Sequence, residues 1–230
     1  MKAWHWVTLG IVAMGGALIF WLLLAYGELP RLWSSHEHKL IGERDQIISY
    51  TSQDIPADPI NIEILASEDA ILCSFRRDGW SRAAPVTLRS SLGIVASVLF
   101  ARADAAAPVS PLYFQDRLQD LAFEIDDGRS AARRHHVRLW RVTTGRWIGA
   151  ATFDRGVGLS LYTLQVTHHI GPDVDAERDR VGALLQRNGG RYVGGQISRI
   201  SPNVWHRNGG GDLYRTDGLI KAYAIGPVTC

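Results

Sequence analysis

Two histidine doublets, His135-His136 and His168-His169, several arginines and a run of carboxylates fall within residues 133–179 of a 230-residue chain. Imidazole ligates metals and moves protons near neutral pH, while guanidinium forks onto the planar oxyanions of phosphate. The segment RRHHVRLW has the alternation of a strand, so neighbouring side chains point to opposite faces and only one member of each doublet can reach a shared site. With Val137 and Leu139 turned to the core, His136, Arg138 and Trp140 form an outward ledge of imidazole, guanidinium and indole. Such a ledge suits a phosphate or sugar-phosphate head group. The alternative is a polar row that covers a sheet, held by acidic residues of neighbouring strands.

The segment GPDVDAERD places Asp173, Asp175, Glu177 and Arg178 at the start of a helix. Carboxylates there are favourable through the aligned peptide dipoles, by about 0.3–1 kcal/mol, which accounts for two of them without any function. The functional alternative is a metal site for Zn, Mn or Fe, built from His136, His168, Asp173 and Asp175, with His169 exchangeable for its neighbour. No HExxH or similar ligand spacing supports it. A GxSxG nucleophile elbow, a GxxxxGKS/T phosphate loop and a GxGxxG turn after a strand are also missing, so no residue is assigned as catalytic and no cofactor is identified. Arg117, Gln119 and Asp120 in DRLQD, and Asp154 in ATFDRG, are polar residues set among strand runs. They are candidates either for buried supports or for the site itself.

These groups sit in a chain with 25 basic and 23 acidic residues, a net charge of +2, which provides no field to draw in nucleic acid. From Ala3 to Gly27 there is no Asp, Glu, Lys or Arg. About 20 such residues in a helix cross a hydrocarbon core of about 30 Å, so this is a single membrane span, flanked by Trp4, Trp6, Trp21 and Tyr26 as interfacial aromatics. A cleaved secretory signal is the rival; the apolar run exceeds the ~7–15 residues usual for one, which favours an uncleaved anchor. Lys2 before the span and Arg31, Lys39 and Arg44 after it nearly balance. The short amino-terminal tail favours a signal anchor that exports the domain to the periplasmic side of a bacterial inner membrane. Of the two cysteines, Cys73 lies in the apolar run ILCSF and reads as a small buried hydrophobe, and Cys230 as a frayed terminus. A bridge between them is the less favoured alternative.

Residues 28–59 mix charge with Ile and Leu and end in DIPADP, whose prolines punctuate a boundary. The expected organisation is therefore an anchor (1–27), a juxtamembrane linker (28–59) and a folded domain (60–230). NIEILAS reads as a strand, and SEDAILCSFRRDGW as a helix capped by Ser67 and stopped at Gly79. A further amphipathic helix is expected over Thr87–Arg102. Short alternating runs then follow from Pro111 to Ile170, as in an antiparallel meander. A last helix is expected over Pro172–Gln186, and RYVGGQISRI and DGLIKAYAIG read as closing strands. The class is α+β, a mostly antiparallel sheet with about three helices on one face.

PLYFQDRLQDLAFE, RRHHVRLW, WIGAATFDRG and THHIGPDVDAERD resemble, in order and spacing, the LssY carboxy-terminal domain family over about residues 60–186. In that family the domain stands alone on an anchor or follows multi-span modules of the lipid-phosphate phosphatase or DedA-like kinds. The resemblance thus implies a membrane setting and assigns no reaction. It differs where the family has Gly-Arg before the Gln-Asp pair and this chain has Asp116-Arg117-Leu118. Together these readings point to a membrane-tethered binding or accessory module for a partner membrane protein or an anionic lipid head group. A metal-dependent hydrolase of phosphate esters is the alternative.

Overall fold

The computed structural model describes residues 2–29, 31–32, 47–83, 111–128, 130–228 and 230. Helix α1, Lys2–Leu23, continues through a π-helical turn at Leu24–Glu28. Nearly all its apolar side chains are exposed, among them Ile11, Leu18 and Phe20. A helix this long and apolar, with its most apolar stretch unburied among the described residues, matches the dimensions of a bilayer, although a signal sequence has the same composition.

The body is α+β. Its main sheet has eight strands, in the order β11-β14-β3-β9-β8-β7-β4, with β10 paired to the far half of β9. The strands are β3 (Ile62–Leu65), β4 (Ser81–Arg82), β7 (Leu121–Asp127), β8 (Ser130–Thr143), β9 (Arg146–Leu159), β10 (Val166–Ile170), β11 (Arg191–Ile197) and β14 (Leu219–Ala224). All pairings are antiparallel except β14 with β3. A smaller sheet runs β2-β1-β5-β6, from Ile48–Tyr50 (β1), Pro56–Pro59 (β2), Tyr113–Phe114 (β5) and Arg117–Leu118 (β6). The short strands β12 (His206–Arg207) and β13 (Leu213–Tyr214) pair with each other.

Both faces of the main sheet are covered. On one lie helices α2 (Glu68–Arg77) and α3 (Val174–Arg187). Their Ile71, Phe75, Val181 and Leu184 join Ile62, Ile64, Phe123, Val137, Leu139 and Trp147 in the principal core. On the other face Trp140, Ile148, Ala150 and Ile220 pack beneath Ala57, Ile60 and Leu112. Removing apolar side chains from water on both faces is the main drive to this arrangement. The expected helix over Thr87–Arg102 lies outside the described residues.

Local chemistry explains most element ends. Ser67 and Asp173 each accept the N-cap hydrogen bond from the third residue beyond, at 3.2 and 3.0 Å. The last helix consequently begins at Val174, and Pro172 precedes its cap instead of occupying its first turn. Gln115 and Asp116 connect β5 to β6 and both have positive φ, 49° and 62°. These are the left-handed conformations that a two-residue hairpin turn requires, adopted here by two non-glycine residues.

Three expectations are corrected. Ile48–Tyr50 and Pro56–Pro59, within the stretch read as linker, form strands β1 and β2. The outward ledge of His136, Arg138 and Trp140 is buried, with exposures of 1%, 7% and 2%. Cys73 and Cys230 form a disulfide with their Cα atoms 5.5 Å apart. The tail does not fray, because the Ile225 amide donates to Leu65 O at 3.0 Å and Val228 packs against the core.

Candidate functional site

Strand register brings the polar residues together. Glu124, His136 and Thr152 are direct cross-strand neighbours on β7, β8 and β9, and Arg134 pairs with Asp154 one step along. Period-two alternation puts all of them, with Arg138, on the face away from α2 and α3. His136 Nδ1 lies 2.9 Å from Asp154 Oδ2 and Nε2 lies 3.3 Å from Glu124 Oε2. Both approaches lie off hydrogen-bond alignment, so we read them as charge contacts. Arg134 also pairs with Glu124, at 3.0 Å, and Arg138 with Asp58 on β2, at 2.9 Å. His168 on β10 completes the group: its ring stands 6.2 Å from that of His136, edge to face, and its Nδ1 is 4.0 Å from Asp154 Oδ2.

Charge is distributed unevenly over this cluster. Burial alone would lower His136, but the Asp154 charge and the contacts to Asp154 and Glu124 outweigh it and hold the imidazole above its ordinary range. Burial would raise Asp154 and Glu124; His136 overrides this at both, helped by Arg134 at Glu124, and holds them below the usual carboxylate range. The two carboxylates thus favour the charged form of His136, which lies between them. His168 is the opposite case, because burial pushes it down more than Asp154 lifts it, which leaves a neutral ring able to accept a proton. Burial also pushes Asp58 up, against the pull of Arg138.

A cavity of about 240 Å³ opens on this cluster. Asp58, Arg138, Asp154 and His168 line it, with hydroxyls from Ser160 and Thr163 and, from the end of the apolar helix, Tyr26. Arg138 Nε and Asp154 Oδ2 are buried without an aligned hydrogen-bond partner. Buried polar groups are ordinarily satisfied, so the unaligned Arg138 Nε, in a side chain that lines the cavity, is a donor that another molecule's acceptor could meet.

The other residues singled out from sequence lie elsewhere. His135 faces the helices, 2.8 Å from Glu177 on α3. His169 binds Asp212 at 2.8 Å, and Asp212 also takes the Ile170 amide and Arg155. Asp173 is an exposed helix cap. Asp175 accepts from Thr216 and the Asp217 amide, and Arg178 is gripped by Asp175, Asp179 and both oxygens of Asp217. Arg117 donates to Asp120 and to Arg141 O, Asp120 accepts from the Arg141 amide, and Gln119 accepts from the Leu112 amide. The metal set expected from His136, His168, Asp173 and Asp175 is therefore not assembled, because both carboxylates have other partners. Among the described residues no group of three or more His, Cys, Asp or Glu is arranged to hold a metal ion. Sequence reading passed over Asp58, Glu124 and Arg134. Glu124 had a usable signal, since it is a carboxylate that interrupts the apolar run LAFEI.

A family model described as LssY C-terminus matches residues 43–220, the greater part of the chain. Comparison with curated proteins and with solved structures finds no match. The chain belongs to the LssY C-terminal domain family. That membership and the amino-terminal apolar helix are consistent with a membrane-anchored protein.

Proposed function

We propose that this LssY-family protein is a single-span membrane protein whose domain captures the anionic head group of a lipid or lipid-linked molecule in the Arg138 cavity. One observation carries the reading: Tyr26, at the end of the membrane-length helix, lines the same cavity as Asp58, Arg138, Asp154 and His168. A pocket at that place lies where head groups are. Its volume of about 240 Å³ is below the ~300–1,000 Å³ of pockets that enclose drug-sized ligands. It accommodates a head and leaves the tails outside. Guanidinium has five N–H donors, and Arg138 commits NH1 to Asp58 while Nε stays vacant. Asp58, already pushed towards its neutral form by burial, can take a proton and release Arg138 to a stronger anion.

The Cys73–Cys230 bridge supports an exported domain, because thiols stay reduced in the cytosol and disulfides persist outside it. With the family resemblance, this favours the periplasmic side of a bacterial inner membrane. A partner membrane protein presenting an acidic group would use the same cavity chemistry.

The test is titration of the full chain in detergent micelles with dioctanoyl phosphatidic acid, and with dioctanoyl phosphatidylcholine as control. The double variant Arg138→Gln/Asp58→Asn removes both charges while leaving neither unpaired. Phosphatidic acid is expected to bind, the control lipid to bind much more weakly, and the double variant to lose at least about tenfold in affinity, which corresponds to about 1.4 kcal/mol. Equal binding of both lipids, or no change in the variant, refutes the reading.

The alternative, a metal-dependent phosphate-ester hydrolase, would have to draw on His136, Asp154 and His168, and it is the weaker reading because no three such side chains among the described residues are arranged around a common ion position. A metal there would have to displace the His136 proton, since ligating histidine is neutral. A rise in melting temperature with Zn or Mn, abolished by His168→Ala, would support it over the first.

A further inference from the structure

The turn between β9 and β10 is built to hold apolar side chains in the open. Leu159, Leu161 and Leu164 are 48%, 67% and 38% exposed, and Val157 beside them 47%. They are not on a loosely held loop. The Ser160 amide donates to Gln165 O at 2.8 Å and the Leu164 amide to Ser160 O at 3.0 Å, while Ser160 Oγ accepts from the amides of Tyr162 and Thr163, both at 3.2 Å. A further bond from the Leu161 amide to Gly210 O, 3.0 Å, ties the turn to the neighbouring β12–β13 loop. Leu164 adopts φ +56°, a left-handed conformation that a branched residue holds only where the surroundings enforce it. No charged residue occurs from 156 to 167. Nothing in this stretch would have to be desolvated with its charge on entering lipid.

The position of the turn says what its leucines meet. Its inward side chains, Ser160 and Thr163, are buried and line the cavity that Tyr26 also lines. Tyr26 lies in the last turn of the membrane-length helix, where an aromatic ring with a polar tip sits at the head-group level. Because Ser160, Thr163 and Tyr26 line one cavity, the turn lies near the helix end, and an anchor there would bring its outer leucines towards the bilayer surface.

We propose that the Leu159–Leu164 turn is a second membrane contact, inserted at the bilayer surface next to the anchor, with the Arg138 cavity opening between the two. This rests on the reading of α1 as an anchor. Two attachment points fix the tilt of the domain and hold the cavity mouth at head-group depth.

The experiment uses the full chain reconstituted in phosphatidylcholine–phosphatidylglycerol vesicles. The native cysteines are bridged, so Leu161→Cys, or Gln186→Cys on the opposite face of the main sheet, accepts a single environment-sensitive fluorophore without reduction. Lipids brominated near the top of the acyl chain are expected to quench the fluorophore at 161 at least twofold, and that at 186 by less than a tenth. Flotation of the same vesicles after an alkaline wash tests the anchor separately. Protein that fails to float overturns the anchor and this contact together. Protein that floats with position 161 quenched no more than position 186 overturns the contact alone.

Discussion

Breaking the Cys73–Cys230 bridge is expected to remove about 5 kcal/mol of domain stability. The two residues are separated by 157 positions, and cross-linking them restricts almost the whole unfolded domain. Chain-entropy accounting assigns about 4.7 kcal/mol to a 100-residue loop, and the logarithmic dependence on length raises this to about 5. With a urea slope of about 2 kcal/mol/M, the unfolding midpoint should fall by about 2.5 M. Buried Trp80, Trp140 and Trp147 supply the signal, as their fluorescence will shift when the core opens. The measurement compares the full chain in micelles with and without reductant, and with Cys73→Ala/Cys230→Ala. Oxidised protein unfolded in urea should take up no thiol reagent, and reduced protein two equivalents. A midpoint shift under about 0.5 M, in protein shown to be bridged, would mean that loop closure does not govern stability here. Two reactive thiols in unreduced protein would refute the bridge itself.

At pH 7 side-chain nitrogen NMR should find His136 doubly protonated and His168 neutral. Both have an ordinary value near ~6.5 when unfolded. His136 is held above it, so its contribution to stability is full below that pH and is lost as pH rises through its folded value; His168 is held below, contributes above, and loses its contribution as pH falls through its own. Stability should thus decline on either side of a plateau, and His136→Asn should flatten the alkaline side alone; His136 titrating below His168 would contradict the charge assignment. Arg178→Ala should cost about 3 kcal/mol, the lower end for a buried pair because Asp217 and Asp179 are 37% and 49% exposed. Arg178→Lys should recover less than half of that loss, since an ammonium cannot reproduce the fork. A urea midpoint within error of wild type would show that the network contributes nothing.

The strands were legible because alternation is a local property. His135 and His136 separate to opposite faces as the period requires. Which face meets water is not local. The ledge is buried by β2, whose Pro56 and Pro59 look like linker punctuation, yet β2 is an edge strand, where a missing N–H breaks no ladder. The cap role of Asp173 follows from its neighbours, whereas Asp175 and Arg178 depend on Thr216 and Asp217, about forty positions away. Of the site, His136, Arg138, Asp154 and His168 could be picked out by residue type. Asp58 could not, because nothing in DIPADP tells that its carboxylate will face a guanidinium on β8. Cys230 was misjudged for the same reason, since tail order comes from contacts with Leu65 and the core.

Strand β14 lies between β3 and β11 and is the last strand in sequence order among the described residues. A polypeptide emerging amino-terminus first therefore carries β3, rich in isoleucine, with one hydrogen-bonding edge vacant until residue 224 has appeared. Strands β3, β9, β8 and β7 can pair with one another before that point, but the parallel β14–β3 pairing and everything beyond it must wait for residues 219–224. Such late, sequence-distant pairing makes for slow maturation and a prolonged need for protection against aggregation. Deletion of Leu219–Ala224 should do more damage to this protein than a deletion of equal length within one of its surface turns.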